Sequence, residues 1–196
     1  MSAWSKFLSL FAPPPPKRTV FAPVPKLILT QACLEAIQRG VEPEMRKGHE
    51  GIVYLLGRTD GVTALATTVF RPEAITSPGS FHVEPRAMAA CVQAGGQFEL
   101  QVAGQLHTHP GQAFHSDGDV EGARIRYPGY VSVVLPNYGR SLPDLTSAAV
   151  YMWGTDGAWQ QLGPQDLIIV PGAGPWTSSS GTRGATTAPF ATHRVV

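Results

Sequence analysis

Apolar and polar residues alternate between Leu100 and His109. Leu100, Val102 and Leu106 fall on one face and Gln101 and Gln105 on the other, a period of two that predicts a β-strand, loosened at Gly104. Alternate side chains of a strand point the same way, so His107 and His109 can reach a common point. Pro110 and Gly111 stop the strand and turn the chain back. The same patterning places other elements. Leu27–Leu29 reads as a strand. Thr30 is the expected N-cap of a helix through Cys33, Leu34 and Ile37 that ends near Gly40, followed by a polar segment from Glu42 to Gly48. Glu50 opens an apolar run closed by Gly57, with residues 63–70 as its antiparallel partner. Arg71–Ser80 is expected to be a loop, Phe81–Val83 a short strand, and Pro85–Ala94 a helix with proline in its first turn.

Beyond the histidines, a helix is expected from Asp117 to about Ile125, then a β run from Tyr130 to Leu135 and a polar loop from Asn137 to Leu145. Ala148–Trp153 and Ala158–Leu162 flank Gly154-Thr155-Asp156-Gly157, a hairpin signal, and Leu167–Val170 can add a last strand. The expected organisation is one domain over residues 26–170 between two unlike ends. Residues 1–25 form a flexible Pro-rich arm, with a short helix to Phe11 and a polyproline spacer at Pro13–Pro16. Residues 171–196, rich in Gly, Ser and Thr, are expected to be disordered.

Composition narrows the function. Fifteen basic against fourteen acidic side chains give a net charge of +1, without the basic excess that nucleic-acid binding uses. Cys33 and Cys91 are the only two cysteines and form no Cys-x-x-Cys pair, which argues against a disulfide framework or a cysteine zinc knuckle and fits a cytoplasmic setting. No stretch approaches the roughly 20 apolar residues of a membrane span. The apolar start of the chain makes a poor signal peptide, because prolines stand where small residues should precede cleavage.

The chemistry concentrates between His107 and Asp119. Asp119 can return from the turn to offer an oxygen beside the two imidazoles. Such a set leaves a tetrahedral zinc one open position, as in catalytic rather than structural sites. Ser116-x-x-Asp119 also fits a helix capping box, a purely structural reading that stands beside the metal one. Other zinc signatures fail: Val53 occupies the second histidine position of His-Glu-x-x-His after His49-Glu50, a deaminase Pro-Cys-x-x-Cys is absent, and Gly111 and Gln112 stand where His-x-His-x-Asp-His needs Asp and His.

His107-Thr108-His109-Pro110, then Ser116-x-x-Asp119, with an upstream Glu opening an apolar strand, resembles the JAB/MPN+ (JAMM) zinc metalloprotease family over about residues 26–160, and its prokaryotic members in the short interval from His109 to Asp119. The resemblance implies an α/β fold: a single JAB/MPN-type domain with a mixed, mostly antiparallel sheet flanked by helices, layered like cytidine deaminases. It implies one catalytic Zn2+ on His107, His109 and Asp119, Glu50 as general acid/base, and Ser116 as a stabiliser of the tetrahedral intermediate. The implied activity is hydrolysis of the bond after the C-terminal glycine of a ubiquitin-like protein. The setting would be a bacterial system with E1-like and E2-like proteins, including anti-phage systems. Processing of a sulfur-carrier-type ubiquitin-like protein and a non-catalytic MPN-type binding module are the alternatives. The loops Arg71–Ser80 and Asn137–Leu145 are the expected substrate clamp. His49 and His115 have no assigned role.

Overall fold

The computed structural model describes residues 24–171 and 193–194. The helical arm to Phe11, the polyproline spacer and nearly all of the tail lie outside the described residues. In chain order the elements are β1 (Leu27–Thr30), α1 (Gln31–Lys47), β2 (Ile52–Thr59), β3 (Ala64–Phe70), β4 (Ala74–Ser77), β5 (Ser80–Val83), α2 (Pro85–Gly96), β6 (Gln101–Thr108), α3 (Asp117–Gly122), β7 (Val131–Leu135), β8 (Ala149–Trp153), β9 (Trp159–Gln161), β10 (Leu167–Val170) and β11 (His193–Arg194). The last lies in the segment expected to be disordered and pairs antiparallel with β10.

The main sheet runs in the order β11-β10-β1-β3-β2-β6-β7-β8-β9. β1 is parallel to both β10 and β3, and β6 to β7; the remaining pairs are antiparallel. The fold is therefore mixed α/β with a mostly antiparallel sheet. α1 covers one face, burying Cys33, Leu34, Ile37 and Val41 against Val53, Leu55, Leu106 and Val133. The other face buries Ile52, Tyr54, Leu56 and Tyr130 against Val83 and α2, through Ala87 and Cys91. Truncating a fully buried residue such as Leu106 to alanine costs about 2–5 kcal/mol.

Four departures from the sequence pattern have local causes. The Thr30 hydroxyl caps α1 by accepting the Cys33 N–H at 3.1 Å, yet the helix runs past Gly40 and Pro43 to Lys47. Gly40 is there for packing, since a Cβ would meet Val53 Cγ1 at 2.6 Å, and the stop is Gly48 at φ 69°. Gly57 lies inside β2, where its Cβ would meet the Leu65 carbonyl oxygen at 1.8 Å. The supposed loop 71–80 contains β4, which forms a separate hairpin with β5. α3 stops at Gly122, short of Ile125; Arg126 donates to the carbonyls of Val120, Glu121 and Ala123 at 2.6–3.2 Å and closes that helix end.

The bulge in β6 matters most for the site. Leu55 pairs with Gly104 but Leu56 with Val102, leaving Ala103 unpaired. An extra residue reverses the alternation. Val102 therefore joins the α2 side and Leu106 the α1 side, rather than sharing a face. Beyond the bulge, Gln105 and His107 face the α2 side beside Tyr54 and Ile52.

Candidate metal centre

β6 delivers the histidines and α3 delivers the carboxylate. His107 Nε2 lies 3.1 Å from Asp119 Oδ1 and His109 Nε2 3.2 Å from Asp119 Oδ2. The three ligand atoms fall within 4.8 Å of one another, an arrangement that could hold a metal ion. Ligand atoms around a tetrahedral zinc with bonds of ~2.1 Å stand about 3.4 Å apart, so small side-chain shifts suffice. His107 tests the fit: it is 0% exposed, its Nδ1 has no polar partner, and its Nε2 makes no well-formed hydrogen bond but only faces the Asp119 carboxylate. Buried polar atoms are rarely left so, and a cation between the two imidazoles and the carboxylate would use the Nε2 lone pair.

The loop that brings Asp119 back is built for that task. Ser116 accepts the Asp119 N–H at 3.2 Å, while Asp119 Oδ2 accepts from the Ser116 N–H at 2.8 Å and hydroxyl at 2.7 Å. Asp119 thus belongs both to the capping box and to the candidate ligand set. Burial alone would raise the Asp119 carboxyl, but the His107 and His109 imidazoles and the Ser116 hydroxyl outweigh it and hold the group well below the usual carboxylate range. The hydrogen bond to Asp119 raises His109, against burial.

Glu50 lines the same cleft of about 600 Å³ as His109, Ser116 and Asp119. It is 6% exposed, and burial pushes its carboxyl up to about 7, with His109 pulling it down and Asp119 pushing it up. Phe81 and Phe114 set their rings 5.3 Å from His107 and 5.2 Å from His109.

Three features of the site escaped the sequence. Thr108, between the histidines, is buried and joins the metal strand to Gly51, next to Glu50. His115 stacks on Tyr151 at 3.8 Å and shares a 2.8 Å hydrogen bond with Ser132 Oγ, pinning the loop just before Ser116. Burial pushes His115 down to about 4, so it is neutral at physiological pH. Glu44 accepts from Thr76, Arg71 and Lys47 at 2.7–3.2 Å, and fastens β4 to the end of α1. His49 joins that cluster through Thr76 at 3.2 Å and stands outside the metal centre. The segments expected to clamp substrate are themselves linked. Tyr138, at φ 57°, donates its N–H to the His109 carbonyl at 2.7 Å and its hydroxyl to the Pro78 carbonyl at 3.0 Å. Such backbone strain is retained where surrounding contacts over-determine it.

These features define a mixed α/β protein with a candidate metal site at the end of a central strand. No protein-family model matches the chain. It is similar to a protein of Sinorhizobium fredii named "Probable metalloprotease y4jG", 25% identical over 146 residues that cover 68% of this chain and 85% of that one. The fold is similar to the solution structure of protein DSY2949 from Desulfitobacterium hafniense, with a TM-score of 0.53 and 19% identity over 74% of this chain and 93% of that chain. Among the described residues no helix is long and apolar enough to cross a membrane.

Proposed function

We propose that this chain is a zinc-dependent metallopeptidase of the JAB/MPN+ (JAMM) type. Its substrate is the isopeptide or peptide bond after the C-terminal glycine of a ubiquitin-like protein, in deconjugation or precursor processing. Its setting is a cytoplasmic bacterial conjugation system with E1-like and E2-like proteins, of the kind associated with anti-phage defence. The observation that carries the reading is the convergence of His107, His109 and Asp119 on one point, with Glu50 lining the same cleft as His109 and Asp119. The similarity to y4jG supports the peptidase class, and the motif's resemblance to the family supports the substrate.

His107, His109 and Asp119 would hold the ion. When bound, zinc supplies Lewis acidity, which makes water nucleophilic at neutral pH and polarises a carbonyl. Glu50, pushed up to about 7 by burial at the edge of the cleft, is matched to take a proton from water and return it to the leaving amine, a role worth about 10²–10⁴-fold. Ser116 orients Asp119. Its hydroxyl proton points at Oδ2, so donation to an oxyanion, worth about 10²–10³-fold, requires that hydroxyl to turn away.

The test is a panel of ubiquitin-like proteins carrying extensions or isopeptide-linked lysines after the terminal glycine, with sulfur-carrier-type precursors included. The expected result is one zinc per chain by elemental analysis, and cleavage after the glycine that a chelator abolishes. Bound zinc with no cleavage of any substrate would favour a binding module. Absence of zinc binding would remove the metal site itself.

A further inference from the structure

Glu50 precedes the first residue of β2, so the regular ladder does not hold it. The register pairs Ile52 with His107, which sets Gly51 opposite Thr108. Facing residues at a hydrogen-bonded position of a regular antiparallel pair exchange both backbone hydrogen bonds. Here only one is made by backbone alone: the Thr108 N–H donates to the Gly51 carbonyl at 3.0 Å. The Gly51 N–H is taken by the Thr108 hydroxyl at 2.8 Å. The next residue, His109, turns its N–H to the other side and donates it at 2.8 Å to the carbonyl of Leu135, the last residue of β7, so the chain stays on that parallel neighbour. The threonine side chain bridges the gap where β2 and β6 part.

We infer that Thr108 is a positioning residue for Glu50, fixing the carboxylate relative to the two histidines that flank Thr108 in the chain. The inference rests on the proton-carrying role proposed for Glu50. One residue is tied to both sides of the centre: its backbone lies between His107 and His109, and its hydroxyl holds the residue after Glu50. On the far side the Glu50 N–H donates to the Ser77 carbonyl at 2.9 Å, so the backbone at Glu50 is gripped from β4 and from β6. Thr108 is 1% exposed, and removing its hydroxyl strands a buried amide that water does not reach. Displacement of a reacting group by about 1 Å can cost on the order of 10²-fold in rate.

Thr108→Val keeps the shape and β preference of the side chain and removes the hydroxyl, while Thr108→Ser keeps the hydroxyl. In zinc-loaded proteins the expected result is a fall in kcat of about 10–10²-fold for Thr108→Val, with KM and zinc affinity unchanged. Thr108→Ser should stay within a few-fold of wild type. A purely structural role would lower zinc affinity and melting temperature together and leave the kcat of the folded fraction intact. Side-chain 13C relaxation of Glu50, with hydrogen exchange at the Gly51 amide, reads the same clamp without turnover. Wild type and Thr108→Ser should show a rigid carboxylate and slow exchange, and Thr108→Val a mobile carboxylate and fast exchange. An equally rigid Glu50 in Thr108→Val overturns the inference, as does undiminished kcat. If wild type cleaves nothing, the proposed activity fails, and the relaxation measurement still decides the clamp.

Discussion

Glu44 and Glu50 stand on either side of the turn between α1 and β2, nearly sealed from solvent at 8% and 6% exposure, yet their carboxyl groups are shifted in opposite directions. Around Glu44, burial would raise the group, but the Thr76 hydroxyl and the Lys47 and Arg71 cations outweigh it and keep the carboxyl low. Around Glu50, burial wins, and among the described residues no Lys or Arg pairs with it. A buried carboxylate with partners holds structure together; one left without a cation beside a cluster that could hold a metal ion suits the proton transfer proposed for it. Burial alone distinguishes nothing here, and pairing decides.

Removing each carboxylate should therefore act oppositely on the metal-free fold. The largest effect is expected for Glu44→Ala, which leaves Arg71, Lys47 and Thr76 facing one another across the junction of α1 and β4. Uncompensated buried charge typically costs 3–5 kcal/mol. Because Lys47 and Arg71 are themselves about half exposed, about 2–3 kcal/mol is expected, read as a lower urea midpoint. An unchanged midpoint would make the cluster ornamental. Glu50→Gln should do the reverse. The folded carboxyl near 7 lies above its unfolded value, so the folded state holds its proton more tightly. That contribution is present at low pH and lost as pH rises through 7. At pH 8 Glu50→Gln should stabilise the metal-free protein by about 1–2 kcal/mol, with the gain vanishing below pH ~4.5. A destabilised Glu50→Gln at pH 8 would break the comparison.

A smaller, pH-dependent effect belongs to His115. Its folded value near 4 lies below the ordinary histidine value, so the unfolded chain takes up the proton first. The contribution of His115 to stability should fall as pH drops from ~6.5 towards 4, opposite in sign to that of Glu50. His115→Gln should flatten that slope by about 1 kcal/mol over the interval, measured as thermal midpoint against pH. Asp119, low in both proteins, contributes the same acid loss to each and cancels in the difference. Equal slopes would mean that His115 is not held neutral.

Short-range signals were the legible ones. Alternation marked β6, and continuous apolar runs marked β2 and β7; Thr30 and Ser116 announced their caps; and His107, His109, Ser116, Asp119 and Glu50 could be picked out from residue type and spacing. The end of α1 was misread because Gly40 and Pro43 look like breakers, whereas Gly40 answers to Val53 across the core. The bulge at Ala103 has no local signature, and it exchanged the faces of Val102 and Leu106. β4 was hidden because its four residues pair only with β5. The roles of Glu44, Thr108 and His115 rest on partners 27, 57 and 17 residues away, and no spacing rule reaches that far.

Glu50 is proposed to carry the proton at a metal centre that it does not ligate. Zinc content and the rate of cleavage after a terminal glycine, measured side by side for wild type and Glu50→Gln, test it most directly. Equal zinc in both proteins is expected, with a rate lower by about 10²–10⁴-fold in the variant. A zinc-loaded Glu50→Gln that cleaves at the wild-type rate would contradict it.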